Sequence, residues 1–369
     1  TVVVARDDTP SGRFWRVPVG PGGFRLDLST GTPDPALLPA LGPALAAVPA
    51  RLAVSSYLDP PVVAELAHLL ERRWPFAPER LTVVDGALDA LDRLIRVRVR
   101  LGDTVCVEDP TFAPILDLLE LAGARVVGLD LDDKGVRPEA LEAALATDPV
   151  LVVLQPRAHN PTGVSMSDER AARLAELVRG RDLIVVEDDH SGPVAGAPGV
   201  SLGRHVPDQV VHVSSFSKSH GPDLRLAAVG GAADPLDEME RRRRLGPSWS
   251  SRLLQRVLVA MLTDPATEAA VATAGRIYRQ RRAALAAALA ERGLTVAPGS
   301  GLNLWVPVAD EQRAMVRLAS EGIGVAPGSA FRVGPGGDGD DHVRVTTATL
   351  DGGVDELADL LAAAARDPA

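Results

Sequence analysis

Of the 39 lysines and arginines in this 369-residue chain, only Lys134 and Lys218 are lysines. Lys134 lies in LDDKG, a polar turn where a solvated lysine needs no further reason. Lys218 lies in HVSSFSKSHGPDLRLAAVGG, behind an apolar run and among small hydroxyl residues, with Arg225 seven positions on. Arginine stays protonated, whereas a lysine amine can shed its proton and attack a carbonyl carbon. A chain that uses arginine almost everywhere and keeps one lysine among serines is expected to need an amine there. A composition bias towards arginine accounts for the other basic positions.

Further polar groups follow short apolar runs. Asp85-Gly86-Ala87-Leu88 follow LTVV, and Asp109-Pro110-Thr111-Phe112 follow TVCVE. His159-Asn160-Pro161-Thr162-Gly163 come after LVVLQ, Glu187-Asp188-Asp189-His190 after LIVV, and Ser214-Ser215-Phe216-Ser217-Lys218 after VVHV. In parallel α/β sheets, ligands bind beyond the carboxyl ends of strands. Each group has a dull explanation singly; together they describe one pocket. An amine nucleophile, a buried acid, an aromatic platform and a phosphate cradle are the parts that pyridoxal phosphate chemistry needs.

The elements that must position these groups are legible in the spacing. ELAHLLERR and LDALDRLIRVRV carry apolar residues at helical period. Seven apolar runs (LTVV, TVCVE, RVVGL, PVLVVLQ, LIVVE, VVHVSS and LAAVGG) alternate with helix-length segments such as DERAARLAELVRG. That pattern predicts an α/β fold with a mostly parallel, seven-stranded sheet covered on both faces. Residues 1–44 read as an N-terminal arm or small-domain segment, 45–260 as one large α/β domain, and 261–369 as a smaller α+β domain. LTVAPG, LNLWVPV, IGVAPG and HVRVTTATL alternate polar and apolar in places and fit the last, with VDELADLLAAAAR its final helix.

Composition narrows the class. The formal net charge is −10 and the chain is 46% hydrophobic but only 3% aromatic. With a pI of about 5.3, it offers no general affinity for nucleic acid or anionic membrane. Arg241–Arg244, after an acidic stretch, read as a solvated helix face. Cys106, the only cysteine, excludes an internal disulfide and reads as a buried small residue. No signal-peptide pattern opens the chain and no apolar run is long enough to span a membrane, so a cytoplasmic location is expected. GPGGDGDD at 334–341 lacks the spacing of a calcium loop, and no metal site is expected.

SSFSKSHGPDLRLA, HNPTG and VAPGSAF resemble three segments of the fold-type I, pyridoxal-phosphate-dependent aminotransferases, in the family's order. DLSTGTPDPALLP, QPRAHNPTG, EDDH and RLGPSWSSRLLQ resemble the aminotransferase-like half of MocR-type bacterial regulators and the stand-alone enzymes related to them. The resemblance covers about residues 25 to 365. It implies pyridoxal 5'-phosphate as cofactor, an amino acid as substrate, and a homodimer. Lys218 would form the internal aldimine and carry the proton of the substrate's α-carbon. Asp188 would face the ring nitrogen, with Asp189 its rival. Gly86 and the amides of Ala87 and Leu88, with Ser215, Ser217 and Arg225, would hold the phosphate at a helix N-terminus. Phe112 would stack on the ring and Asn160 would bond its oxygen. Tyr57 would reach the phosphate of the other subunit. Arg344 would grip the substrate carboxylate, beside Gly31.

Some positions depart from that family's usual residues. His190 stands where a tyrosine is usual near the ring oxygen, and a histidine there is expected to titrate near neutral pH. His220 could serve as acid or base, or could face solvent. Asn303 replaces a frequent histidine, and Asp85-Gly86 lacks the common Ser or Thr. Transamination is therefore one expectation of three. The second is β- or γ-elimination, replacement or C–C bond formation in a biosynthetic pathway. The third is an effector-binding domain of a MocR-type regulator, for whose winged helix-turn-helix residues 1–24 are too short.

Overall fold

The computed structural model of the chain describes residues 12–13, 23–49, 56–334 and 341–366. The first strand, β1 (Leu26–Asp27), stands apart from the main sheet and joins a small ladder described below. The seven apolar runs all become strands of one sheet: β2 (Arg80–Val84), β3 (Thr104–Asp109), β4 (Arg125–Asp132), β6 (Leu151–Leu154), β7 (Ile184–Asp189), β8 (Val210–Ser215) and β9 (Ala227–Gly231). An eighth strand, β5 (Gly135–Val136), turns back on β4 through the polar LDDKG turn. Two residues, Gly135 and Val136, flanked by Lys134 and Arg137, give no apolar run, which is why seven strands are expected from sequence and eight are found among the described residues. The order is β2-β9-β8-β7-β6-β3-β4-β5, parallel except for β9 and β5.

Alternation along each strand divides the core into two layers. Val105, Val107, Val153, Val186, Val211 and Val213 face the helices Ala87–Arg98, Ala113–Ala122 and Ala233–Arg243. Cys106, Val152, Leu154, Val185 and Val210 face the opposite side, against the helices Pro138–Ala144 and Asp168–Val178. Successive side chains of a strand point to opposite faces, so a continuous apolar run is what a doubly covered sheet requires. Cys106 is fully buried and its thiol is pushed up to about 11 by that burial.

The arginine run contradicts its sequence reading at one position. Arg243 is buried, donating from Nη1 to the Val83 carbonyl at 2.6 Å and from Nη2 to Ser250 Oγ at 2.7 Å. A helix turns about 100° per residue, so four consecutive arginines cannot share one face. One of them points inward and ties the 246–251 segment to the end of β2.

The smaller sheet is β10 (Asn303–Pro307), β13 (His342–Thr346) and β12 (Ala326–Pro327), in the order β10-β13-β12 and antiparallel. LTVAPG forms no strand. IGVAPG splits into β11 (Ile323–Gly324), which pairs in parallel with β1, and β12. The helices Glu311–Ser320 and Val354–Ala365 and the long helix Pro265–Glu291 pack around a second apolar core that includes Leu28, Leu285, Leu304, Val345 and Leu361. Residues 1–11 and 14–22 of the arm and 335–340 of the Gly/Asp loop lie outside the described residues. Among those described, no single helix is long and apolar enough to cross a membrane.

Candidate active site

Register brings the polar strand ends into one line. Val84 pairs with Ala227 and Ala227 with Ser215; Ser214 pairs with Asp189 and Glu187 with Leu154. The carboxyl ends of β2, β8, β7 and β6 therefore share one edge, neighbours being about 4.8 Å apart. From the β3–β6 pair, chain order runs towards β4 on one side and towards β7 and β8 on the other. Such a reversal opens a crevice at the strand ends.

Lys218 sits in the loop between β8 and β9, and its Nζ donates to the Gly31 carbonyl at 2.5 Å. Burial first, and then the Arg344 charge, bring its pKa down to about 8, while Asp188 opposes both. An amine in that range exchanges its proton near neutral pH.

Asp188 and Asp189, adjacent at the end of β7, have opposite environments. Burial tends to raise Asp189, but Arg157 offsets this with hydrogen bonds of 2.8 and 2.5 Å, and the carboxyl lies below its usual range. Asp189 is thus engaged by a structural ion pair. Asp188 accepts from Gln155 Nε2 at 2.8 Å through Oδ2, while Oδ1 is buried with no hydrogen-bond partner among the described residues. Burial pushes its pKa up to about 6, against the Gln155 bond and with the Asp189 and Glu108 charges adding to the rise. A buried bare carboxylate oxygen is costly unless something meets it.

Gly86, at φ +113°, caps the helix Ala87–Arg98, whose first amides point out of the strand-end line. Arg225, itself left-handed at φ +47°, lays its guanidinium over that turn, and Nη2 reaches the Asp85 carbonyl at 3.4 Å. A Cβ on Gly86 would lie 3.0 Å from Arg225 Nη2. Ser215 Oγ accepts from the Ser217 amide at 3.3 Å on the same loop. A helix N-terminus, an exposed guanidinium and two hydroxyls make a site for a phosphate.

The polar groups around Arg344 form a single network. Arg344, fully buried on β13, donates to Asn160 Oδ1 at 3.3 Å and to the Ser29 carbonyl, lies 5.0 Å from the Phe331 ring, and leaves Nε without a partner among the described residues. Burial brings its pKa down to about 10, opposed by Asp27, so it remains a cation. Asn303 donates to Asn160 Oδ1 at 3.3 Å and accepts from Thr346 Oγ1 at 3.0 Å; Thr346 in turn accepts from the Gly31 amide at 3.0 Å. Gly31 borders Arg344, and its φ of +65°, rather than any lack of space for a Cβ, is what favours glycine there.

The histidines behave otherwise than expected. His190 is pushed down to about 3, by burial first and then by Lys218, so it is neutral across the physiological range and does not titrate near pH 7. Its Nδ1 is buried without a hydrogen-bond partner among the described residues. His220 is buried, neither facing solvent nor ready to hold a proton: burial and Arg73 lower it to about 4, Nδ1 pairs with Ser219 Oγ at 2.8 Å, and the ring meets Phe216 edge-on. Phe112 caps the helix Ala113–Ala122 and packs with Trp305, Ala326 and Phe331. Tyr57 lies outside this constellation within one chain. It is 90% exposed and stacks on Trp249, beside an equally exposed Leu58.

Three residues that the sequence reading passed over belong to the site. Arg157 decides between the two aspartates, and Gln155 and Glu108 support the one left bare, Glu108 Oε2 accepting from the Gln155 amide at 2.7 Å. Gln155 and Glu108 stand in apolar runs, where a polar residue reads as a strand terminator.

The profile of the family "Aminotransferase class I and II" matches residues 25–361. The chain belongs to the class I and II aminotransferase family. It is 37% identical over 333 residues to the "Vitamin B6 salvage pathway transcriptional repressor PtsJ" of Salmonella typhimurium, covering 88% of this chain and 75% of that protein. To the "HTH-type transcriptional regulator TauR" of Rhodobacter capsulatus it is 30% identical, over 76% of this chain and 60% of TauR. Among solved structures, LysN, the α-aminoadipate aminotransferase of Thermus thermophilus, complexed with N-(5'-phosphopyridoxyl)-L-leucine, superposes with a TM-score of 0.81. It is 25% identical and covers 92% of this chain and 91% of its own.

The cofactor of this aminotransferase-family site is pyridoxal 5'-phosphate. The residues present fit it: a buried carboxylate oxygen lacks a partner, and a side chain on Gly86 would fill the cradle under Arg225. Gly86→Ala is therefore expected to weaken cofactor binding roughly tenfold, since a Cβ 3.0 Å from Nη2 would push the Arg225 guanidinium out of the cradle, a hydrogen bond to a charged group is worth about 1.5–3 kcal/mol and 1.4 kcal/mol is a factor of about ten. Equilibrium dialysis of apoprotein against pyridoxal 5'-phosphate measures this.

Proposed function

We propose that the chain is a pyridoxal-phosphate-dependent enzyme acting on an amino acid, and that its reaction is transamination. The observation that carries the reading is one pocket holding an amine near pKa 8, a bare buried carboxylate oxygen and a buried arginine. When bound, the cofactor supplies an electron sink for the pair left as the substrate's α-carbon loses its proton. Lys218 holds the cofactor and moves that proton. Asp188, through Oδ1, keeps the ring nitrogen charged. Ala87, Leu88, Ser215, Ser217 and Arg225 bind the phosphate; Phe112 packs on the ring; Asn160 and neutral His190 stand by its oxygen. Arg344, beside Gly31, orients the carboxylate. Tyr57, exposed on one chain, completes the phosphate site of a second copy in a homodimer. In this reading residues 45–260 carry the cofactor, 261–369 and the arm close over the substrate, and the protein works in the cytoplasm.

A second reading is favoured by the higher identity to a transcriptional repressor, 37%, than to the aminotransferase LysN, 25%. In it, the same site binds an amino acid as a signal. One experiment separates them. The protein loaded with pyridoxal 5'-phosphate is mixed with each of the twenty amino acids and common non-protein ones, and its visible absorbance and the products are followed. A keto acid with loss of the visible band means transamination. A lasting spectral change with the amino acid recovered intact means sensing. Release of a side-chain leaving group means elimination or replacement, and overturns both.

A further inference from the structure

We infer that Gln155 is a positioning residue of this site: its side-chain amide aims Asp188 so that only Oδ1 meets the cofactor ring, and keeps that carboxyl ionised. The inference rests on the pyridoxal phosphate reading above. Gln155 follows β6 directly, and its side chain joins two strand ends. Nε2 donates to Asp188 Oδ2 at 2.8 Å, while Oε1 accepts from the Asn160 amide at 2.9 Å. Its own backbone amide donates to Glu108 Oε2 at 2.7 Å. Gln155, Asp188, Asn160 and Glu108 are all buried.

The orientation of the amide is forced. A backbone N–H can only donate, so the oxygen of Gln155 must face Asn160 and its NH2 must face Asp188. A flipped amide would set oxygen against carboxylate and NH2 against N–H. Oδ2 is therefore a committed acceptor, and the bare Oδ1 is the free one.

Charge makes the same bond matter. Glu108 approaches from β3, Glu187 and Asp189 share the strand, His212 comes from β8, His159 from the 155–163 segment, and His190 and Lys218 border the pocket. Arg157 takes up Asp189. Ser201, the Leu202 amide and His212 occupy Glu187. His159 lies 3.4 Å from Glu108. For Asp188 the leading influence against burial is the Gln155 donor, ahead of His212. Without it, burial and the Asp189 and Glu108 charges act with little opposition, and a neutral acid offers the ring nitrogen no counter-charge.

The test uses the full chain with Gln155→Met, which keeps the length and removes the donor, together with Asp188→Asn and the double variant. Carbon-13 NMR titration of the Asp188 carboxyl in apoprotein is expected to move up by about one pH unit or more, the worth of a hydrogen bond to a charged group. Pyridoxal 5'-phosphate affinity is expected to fall roughly tenfold. In the Asp188→Asn background, Gln155→Met is expected to change affinity by less than about twofold, because residues acting through one another do not add. Gln155→Leu carries the same expectations should the methionine variant not fold. An unmoved titration, or losses that add in the double variant, would overturn the inference alone. Asp188→Asn binding the cofactor as tightly as wild type would overturn the site reading as well.

Discussion

Lys218→Ala is expected to abolish retention of pyridoxal 5'-phosphate through dialysis, with its visible band, and to lower turnover roughly a thousandfold or more. A thousandfold is the middle of the roughly 10²- to 10⁴-fold worth of a positioned acid–base group, before the lost covalent hold is counted. Lys134 cannot replace it: it lies in the exposed LDDKG turn at the far edge of the sheet. The pH dependence has a definite sign. With the amine at about 8, its neutral form grows as pH rises, so cofactor loading of the wild type should quicken up to about pH 8 and then level. Alanine removes a charge that burial penalises, so the apo variant should remain folded at pH 7. A variant that keeps the visible band after reduction and dialysis would place the attachment elsewhere.

Asp188→Asn should separate stability from function. The wild-type carboxyl is fully buried and raised from 3.8 to about 6, so its ionised form weakens the apoprotein fold by about 3 kcal/mol, at 1.36 kcal/mol per unit. A folded-state pKa above the unfolded one means the native state holds more protons between these values. The penalty is full above about pH 6 and disappears as pH falls towards 4. Asn is neutral throughout, so the apo variant should unfold at higher urea than wild type at pH 7 to 8, and the gain should shrink between pH 6 and 4. The same variant should lose roughly a hundredfold or more in turnover, since a preorganised counter-charge is removed. A variant less stable at pH 8 would show that Asp188 is a structural acceptor instead. Sites that strain a fold for chemistry commonly gain stability when disarmed.

These expectations draw on residues of unequal legibility. Lys218, Asp188 and Arg225 stand out because each follows or precedes an apolar run, and a β-strand buried on both faces can tolerate such groups only at its ends. Gly86 is visible for the same reason, opening an amphipathic helix. The choice between Asp188 and Asp189 depends on Arg157, which lies 32 positions away in the chain and closes a 2.5 Å ion pair only after β6 and β7 are paired. Gln155 is hidden because one polar residue after LVVL looks like punctuation. The histidines mislead for a different reason. Their ordinary pKa is a property of the solvated ring, and His190 and His220 are buried beside cations. Arg243 shows the limit of charge runs, which record composition and not direction.

The Lys218 amine rests on the carbonyl of Gly31, and Gly31 is held by Thr346, so the reactive nitrogen is clasped by segments from both ends of the polypeptide. During synthesis, β7 with Asp188 and the loop with Lys218 leave the ribosome more than a hundred residues before β13 does. The residues proposed to cradle the phosphate, Gly86 to Arg225, are thus all translated before β13 begins. Arg344, the residue proposed to orient the substrate carboxylate, is translated last of these groups save Thr346.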